Sequence, residues 1–179
     1  MTLAINKLLK AGPRAPFLVK LCESRVDLCR PSRYGNTLLA GGETVIPERF
    51  QPELIVDLLE RHRVTFFGGG PPALYAGVLA AGNLGSADLS ALRECPAGAA
   101  PFPVELMERW RLATGLEIRE GYGMSEIAPI SGPTALSGLR PGSVGKPVPG
   151  TDVQVVDLET GLRVLPLGER GELRSEVLI

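Results

Sequence analysis

Val64-Thr65-Phe66-Phe67-Gly68-Gly69-Gly70-Pro71-Pro72 is a compact apolar run cut off by three glycines and two prolines. β-branched and aromatic residues bounded by such a break read as a short buried strand. On its amino side, Pro52 stands near the first turn of a helix, with Leu54, Ile55, Leu58 and Leu59 on one face. Before that, Thr44-Val45-Ile46 is a short strand closed by Pro47. On its carboxyl side a second helix runs over about Ala73–Ala81 and ends near Gly82. Leu92-Arg93-Glu94-Cys95 is a strand by context. Pro103 marks the start of a third helix with an apolar stripe of Leu106, Met107 and Trp110, capped at Gly115. Leu116-Glu117-Ile118 is the next strand. Strand and helix thus alternate from about residue 36 to 126, which predicts an α/β fold: a parallel sheet with crossover helices.

Three of these strands run into loops of small residues, Gly68–Pro72, Ala97–Pro101 and Gly121–Glu126. Parallel strands set successive loops along one carboxyl edge, where open α/β sheets bind ligands, and small residues let a flat ligand approach the backbone. The third loop, Gly121-Tyr122-Gly123-Met124-Ser125-Glu126, adds a stacking face, a hydroxyl and a carboxylate able to ligate Mg²⁺. The same hexad also suits an ordinary glycine turn with Met124 in the core and Glu126 in water.

Past Ile130, glycine and proline punctuate short segments. Val153–Asp157 and Gly171–Arg174 read as strands joined through a Thr160-Gly161 turn, so residues 131–179 are a β-rich segment after an α/β subdomain over 37–130. Ending in Glu176-Val177-Leu178-Ile179, the segment is expected to be truncated, because an unpaired edge strand is a liability. Thr37-Leu38-Leu39-Ala40 before Gly41-Gly42 suits a helix or turn with a glycine cap. Residues 1–36, broken by Pro13, Pro16 and Pro31, remain an unassigned lead-in, read as disordered or non-native. They hold seven of the 19 Lys and Arg residues against two acids, although the whole chain has a net charge of only -1. That balance gives no general pull toward nucleic acid or anionic membrane. No apolar run is long enough to span a bilayer. The three cysteines, Cys22, Cys29 and Cys95, lack the spacing of a zinc site or disulfide framework and fit a reducing cytoplasm. With His62 as the single histidine, a multi-histidine metal site is excluded and a Ser-His-Asp triad is not expected; a place at a helix end suits it.

From about Asn36 onward the sequence resembles the middle of adenylate-forming acid–CoA ligases, the AMP-binding synthetase superfamily. Glu120–Glu126 is similar to that family's Y-G-x-T-E motif, with serine for threonine. Gly98-Ala99-Ala100-Pro101 is similar to its G-G-A-P adenine loop. Gly142-Ser143-Val144-Gly145-Lys146-Pro147 and Gly168-Glu169-Arg170-Gly171-Glu172-Leu173 match two later motifs in the family's order.

The resemblance implies part of the large N-terminal domain of an enzyme that joins a carboxylic acid to ATP as acyl-AMP, and then to coenzyme A as a thioester. It implies that Gly98, Ala99 and Ala100 enclose adenine together with Tyr122, and that Gly121, Gly123 and Met124 belong to the nucleotide-binding loop. Ser125, in contact with the α-phosphate, and Glu126 would be the catalytic residues, and Glu126 would also ligate Mg²⁺. By position, Gly69, Gly70, Gly121 and Gly123 border the acyl pocket. The implied small molecules are ATP, Mg²⁺, coenzyme A and a carboxylic acid, and the implied partner is the remainder of a parent enzyme. The family's phosphate loop ending in P-K-G and its T-G-D aspartate do not occur in these 179 residues, so the polypeptide alone is expected to be inactive. Two other readings stand beside this one: a non-catalytic remnant that binds nucleotide, an acyl group or a partner protein, and a piece of an amino-acid-activating adenylation domain.

Overall fold

A computed structural model describes residues 16–19, 43–47, 49–68, 70–124, 126–127, 129–133 and 138–177. The expected turn at Thr37–Gly42 lies outside these residues. Two compact units divide the chain, 1–119 and 120–179.

In the first unit, β1 (Pro16–Val19), β2 (Glu43–Val45) and β3 (Phe66–Gly68) form a parallel sheet in the order β2-β1-β3. Its middle strand comes from the lead-in that the sequence leaves unassigned. Four residues containing a proline carry too little pattern to identify a strand, and only the neighbours on both sides define it. Phe66 also bridges Glu94 in parallel, just ahead of β4 (Cys95–Ala97), and β4 pairs in turn with β5 (Ile118–Glu120). The two later strands begin three and two residues beyond the expected runs; ahead of β4, Leu92 is recruited as a core residue instead.

The helices are α1 (Pro52–Arg61), α2 (Pro72–Leu79) and α3 (Val104–Thr114). Proline opens α1 and α2, and Gly115 at φ 74° terminates α3 with its N–H on the Arg111 carbonyl at 2.8 Å. Helix α2 has no charged residue and packs against both α1 and α3. The buried face of α1 is shifted from the expected stripe: Ile55, Val56 and Leu59 are enclosed, whereas Leu54 and Leu58 are only half-buried. Asn83, beyond α2, donates to the Glu53 carbonyl at 3.0 Å and to Asp57 Oδ1 at 2.8 Å, tying the connector back to α1.

The core of this unit is an aromatic cluster. Trp110 and Tyr75 are fully buried, with ring centroids 4.8 Å apart at 81°. Phe67 stacks on Trp110 at 5.9 Å, and Phe102 meets Tyr75 edge-on at 5.3 Å. Such edge-to-face contacts satisfy the ring quadrupoles. Cys95 lies in the same cluster, and burial pushes its thiol up to about 12. The Trp110 side chain acts in the opposite direction on that thiol, although its indole N–H makes no hydrogen bond of ordinary geometry. Sulfur is a weak acceptor, and desolvation prevails.

In the second unit, β6 (Ser131–Gly132) pairs antiparallel with β7 (Lys146–Pro147), and β8 (Thr151–Val156) with β9 (Glu172–Val177). The expected turn between the latter two is built on Asp157. Its carboxylate accepts the N–H groups of Glu159, Thr160 and Arg163 and the Thr160 hydroxyl, at 2.7–3.1 Å. The Thr160 backbone and hydroxyl, followed by the Arg163 N–H, hold Asp157 well below its ordinary value of 3.8. Because the folded state favours the ionised form, this stabilisation is complete above pH 3.8 and is lost as the pH falls toward the depressed value. Asp157→Asn is expected to lower the thermal midpoint by a few degrees at pH 7. The gap to the parent should narrow as melting is followed into acid; a gap constant with pH contradicts this account.

Candidate functional site

The first two small-residue loops leave the carboxyl ends of β3 and β4. They meet through the Gly98 N–H, which donates to the Gly70 carbonyl over a long 3.5 Å. Gly70 is buried against Leu74, and a Cβ built on it would collide with Leu74 Cδ1. Gly69 lies outside the described residues. The same two elements are joined beneath the loops by the Tyr75 hydroxyl of α2, which donates to the Pro96 carbonyl of β4 at 2.7 Å. Tyr75 is not among the residues that the sequence singles out. A signal for it exists all the same, as a tyrosine in an otherwise apolar helix usually has a partner for its hydroxyl.

Beyond Gly98 the chain turns through Ala99, exposed and at φ 72°. A non-glycine residue in the left-handed region carries strain of about 1 kcal/mol. Ala100 and Pro101 are exposed, and Phe102 returns to the core. The loop is therefore a short arch with both feet anchored and its crown open. Its strain predicts that Ala99→Gly raises stability by about 0.5–1 kcal/mol, measured by urea melting, since the relief of φ outweighs the added unfolded-state entropy. A loss of stability would mean that the alanine methyl has a packing role.

The third loop belongs to the second unit. Tyr122 is held by its main chain: its N–H donates to the Ser131 carbonyl at 3.0 Å, and its carbonyl accepts from the N–H groups of Ile130 and Ser131 at 2.9 and 3.0 Å. A Cβ on the preceding Gly121 would lie 3.2 Å from the Ser131 carbonyl oxygen, so the close approach of these two segments favours glycine. The Met124 N–H donates to the Ile127 carbonyl at 3.1 Å and closes the tip. The outcome is a closed loop with a fixed stem. Tyr122 and Met124 are each 38 % exposed, so Met124 is not the core residue of a plain glycine turn. Gly123 and Glu126 are exposed, and Ser125 lies outside the described residues. Among the described residues, Glu126 makes no hydrogen bond or ion pair, and its oxygens are open to a ligand.

Ser131 extends the support. Its hydroxyl donates to the Val144 carbonyl at 2.9 Å, and the Val148 N–H donates to the Ile130 carbonyl at 3.0 Å. Between these bonds, Gly145 sits at φ 83° with its α-carbon against Gly132. The Gly142–Pro147 motif is thus the brace behind the Tyr122 loop. Spacing alone does not show that role, because the contact depends on the β6–β7 pairing.

No three metal-binding side chains cluster among the described residues. One open carboxylate does not make a dedicated metal cage. It fits an ion that keeps waters and is shared with substrate phosphates, as Mg²⁺ commonly is.

Residues 35–176 match the family model described as AMP-binding enzyme. Among curated proteins, the chain is 35% identical over 134 residues to a long-chain-fatty-acid–CoA ligase of Bacillus subtilis, covering 74% of this chain and 24% of that protein. It is 38% identical over 139 residues to a feruloyl-CoA synthase of an Amycolatopsis species, covering 76% and 28%. ATP-bound MatB from Rhodopseudomonas palustris superposes with a TM-score of 0.81 at 26% identity, over 98% of this chain and 34% of that one. Amide bond synthetase McbA from Marinactinospora thermotolerans gives 0.75 at 26% identity, over 98% and 36%. The chain therefore spans about a quarter of the length of these curated relatives. With most of its residues inside the family match and its loops carrying the family's motifs on anchored stems, the chain belongs to the AMP-binding enzyme family.

Proposed function

We propose that this chain supplies the adenine-binding and Mg²⁺-binding portion of an AMP-forming acid–CoA ligase. The observation that carries the reading is the third loop. Tyr122 is pinned by three main-chain hydrogen bonds while staying partly exposed, and Glu126, without a partner among the described residues, follows four positions along the same loop. A preorganised flat face and an exposed carboxylate on one loop suit a purine whose phosphates carry a metal ion.

In this reading Gly98–Ala100 and Tyr122 bind the adenine, Ser125 offers its hydroxyl to the α-phosphate, and Glu126 holds the metal ion. Gly121, Gly123 and Met124 shape the loop, and Gly69 and Gly70 border the acyl side. Bound Mg²⁺ would offset negative charge on the phosphates. A carboxylate oxygen of the acid attacks the α-phosphorus of ATP, and pyrophosphate leaves with the electron pair of the broken P–O bond. The thiolate of coenzyme A then attacks the acyl carbon, and AMP departs. Adenylation is needed because a carboxylate is a poor electrophile. The names of the curated relatives support a fatty or aryl acid as the substrate class.

Calorimetric titration of the 179-residue chain with ATP, with and without Mg²⁺, tests the assignment. Tyr122→Ala is expected to weaken ATP about tenfold or more, the loss of one stacking contact of about 1.4 kcal/mol. Glu126→Ala is expected to abolish the Mg²⁺ dependence while metal-free binding persists. Unchanged Mg²⁺-dependent affinity in Glu126→Ala removes the metal assignment. With coenzyme A and a panel of fatty and aryl acids added, this polypeptide alone is expected to form no acyl-CoA, and sustained thioester formation would contradict that.

A further inference from the structure

At the end of the β-strands opposite to the small-residue loops, the first unit carries an open groove of about 490 Å³. Glu43 enters it from the start of β2, Arg61 from the last turn of α1, and Arg63 and Thr65 from the approach to β3. Ser90 and Arg93 come from the approach to β4. Three guanidinium groups from two segments, 61–63 and 93, therefore border one polar depression, at the other end of the strands from Gly70 and Gly98.

Two observations separate this groove from an ordinary solvated rim. Among the described residues, no ion pair or hydrogen bond engages the side chains of Arg61 and Arg93. The second is Arg63, which adopts φ 48° just after α1. There the Val64 N–H reaches back to the Leu59 carbonyl at 3.0 Å, a helix-ending geometry in which glycine is the usual occupant. Arginine at that position costs free energy that glycine would not. Its ion pair with Asp88 spans 3.7 Å between exposed side chains, a contact that contributes little. Asp88 and Glu43 oppose an incoming anion, as do the carbonyls at the end of α1. Those of Leu58, Leu59 and Glu60 already accept backbone N–H groups, the Glu60 carboxylate is engaged by the Asp88 N–H at 2.9 Å, and in the groove lining itself three guanidinium groups face one carboxylate, Glu43.

We propose that this groove binds a phosphate group of a small molecule through Arg61, Arg63 and Arg93, at a site separate from the nucleotide loops. Guanidinium forks suit the tetrahedral oxyanion, and the depression has the volume of a small-ligand site. The assignment does not depend on the proposed ligase function.

Inorganic phosphate is the probe, titrated into ¹⁵N-labelled full chain at constant ionic strength while backbone amides and arginine Nε–H signals are followed. Saturable shifts confined to residues 61–65 and 90–93 are expected, with affinity at least tenfold weaker in R61A/R93A and unchanged in Glu126→Ala. R63G is expected to raise the thermal midpoint yet weaken phosphate binding, opposite signs that a purely structural arginine would not produce. If R61A/R93A fails to fold, the single variant R93Q is read by the same criterion. Shifts that do not saturate, that spread over all arginines, or that centre on residues 98–100 and 121–126 would overturn the proposal.

Discussion

Replacing Trp110 by alanine is expected to cost about 3–5 kcal/mol, a large share of the roughly 5–15 kcal/mol that holds a typical domain together. Trp110 is fully buried and stands at the centre of the ring cluster, in contact with Tyr75 and Phe67. Truncation removes most of its apolar area and opens a cavity that rigid neighbours cannot fill by small shifts. The loss should extend to the loops. Tyr75, on which Trp110 packs, holds the Pro96 carbonyl just ahead of Gly98. Urea unfolding followed by tyrosine fluorescence or circular dichroism measures the change. A loss under about 1 kcal/mol would show that the cluster does not organise this unit.

Gly145→Ala is the second large effect, and it acts in the other unit. At φ 83° an alanine is strained, and its Cβ would collide with the Gly132 carbonyl and lie 2.5 Å from the Pro133 nitrogen. Both contacts are with backbone, so relief requires β6 and β7 to separate. A cost of at least about 2 kcal/mol is expected, beyond the usual penalty for alanine at positive φ. The Ile130 and Ser131 groups that hold Tyr122 lie on the displaced segment, so ATP affinity should fall along with stability. Amide spectra check this directly: shifts at Gly132, Lys146 and Tyr122 with those of Ile55, Val78 and Leu106 unmoved. A variant that melts like the parent and binds ATP equally well would remove Gly145 from the support of the loop.

The local part of the fold is legible in the residues themselves. Proline and glycine punctuation places the three helices to within a residue or two, because a missing N–H and a tolerated left-handed φ act on the chain where they stand. The motif order likewise points to the family, since Gly98–Pro101, Glu120–Glu126 and Gly142–Pro147 are contiguous stretches. Several decisive features are not local. The strand Pro16–Val19 exists through its pairing with Glu43–Val45 and Phe66–Gly68, and four residues cannot announce such partners. The reach of Tyr75 to Pro96, the left-handed turn at Ala99 and the contact of Gly145 with Gly132 likewise depend on segments brought together only by folding. Residue types and spacing determined which groups were available for nucleotide chemistry. Tertiary packing decided which were held still and which, like Glu126 and the Tyr122 ring, were left open. A side chain's chemistry is intrinsic to it, whereas its rigidity and exposure are properties of its neighbours.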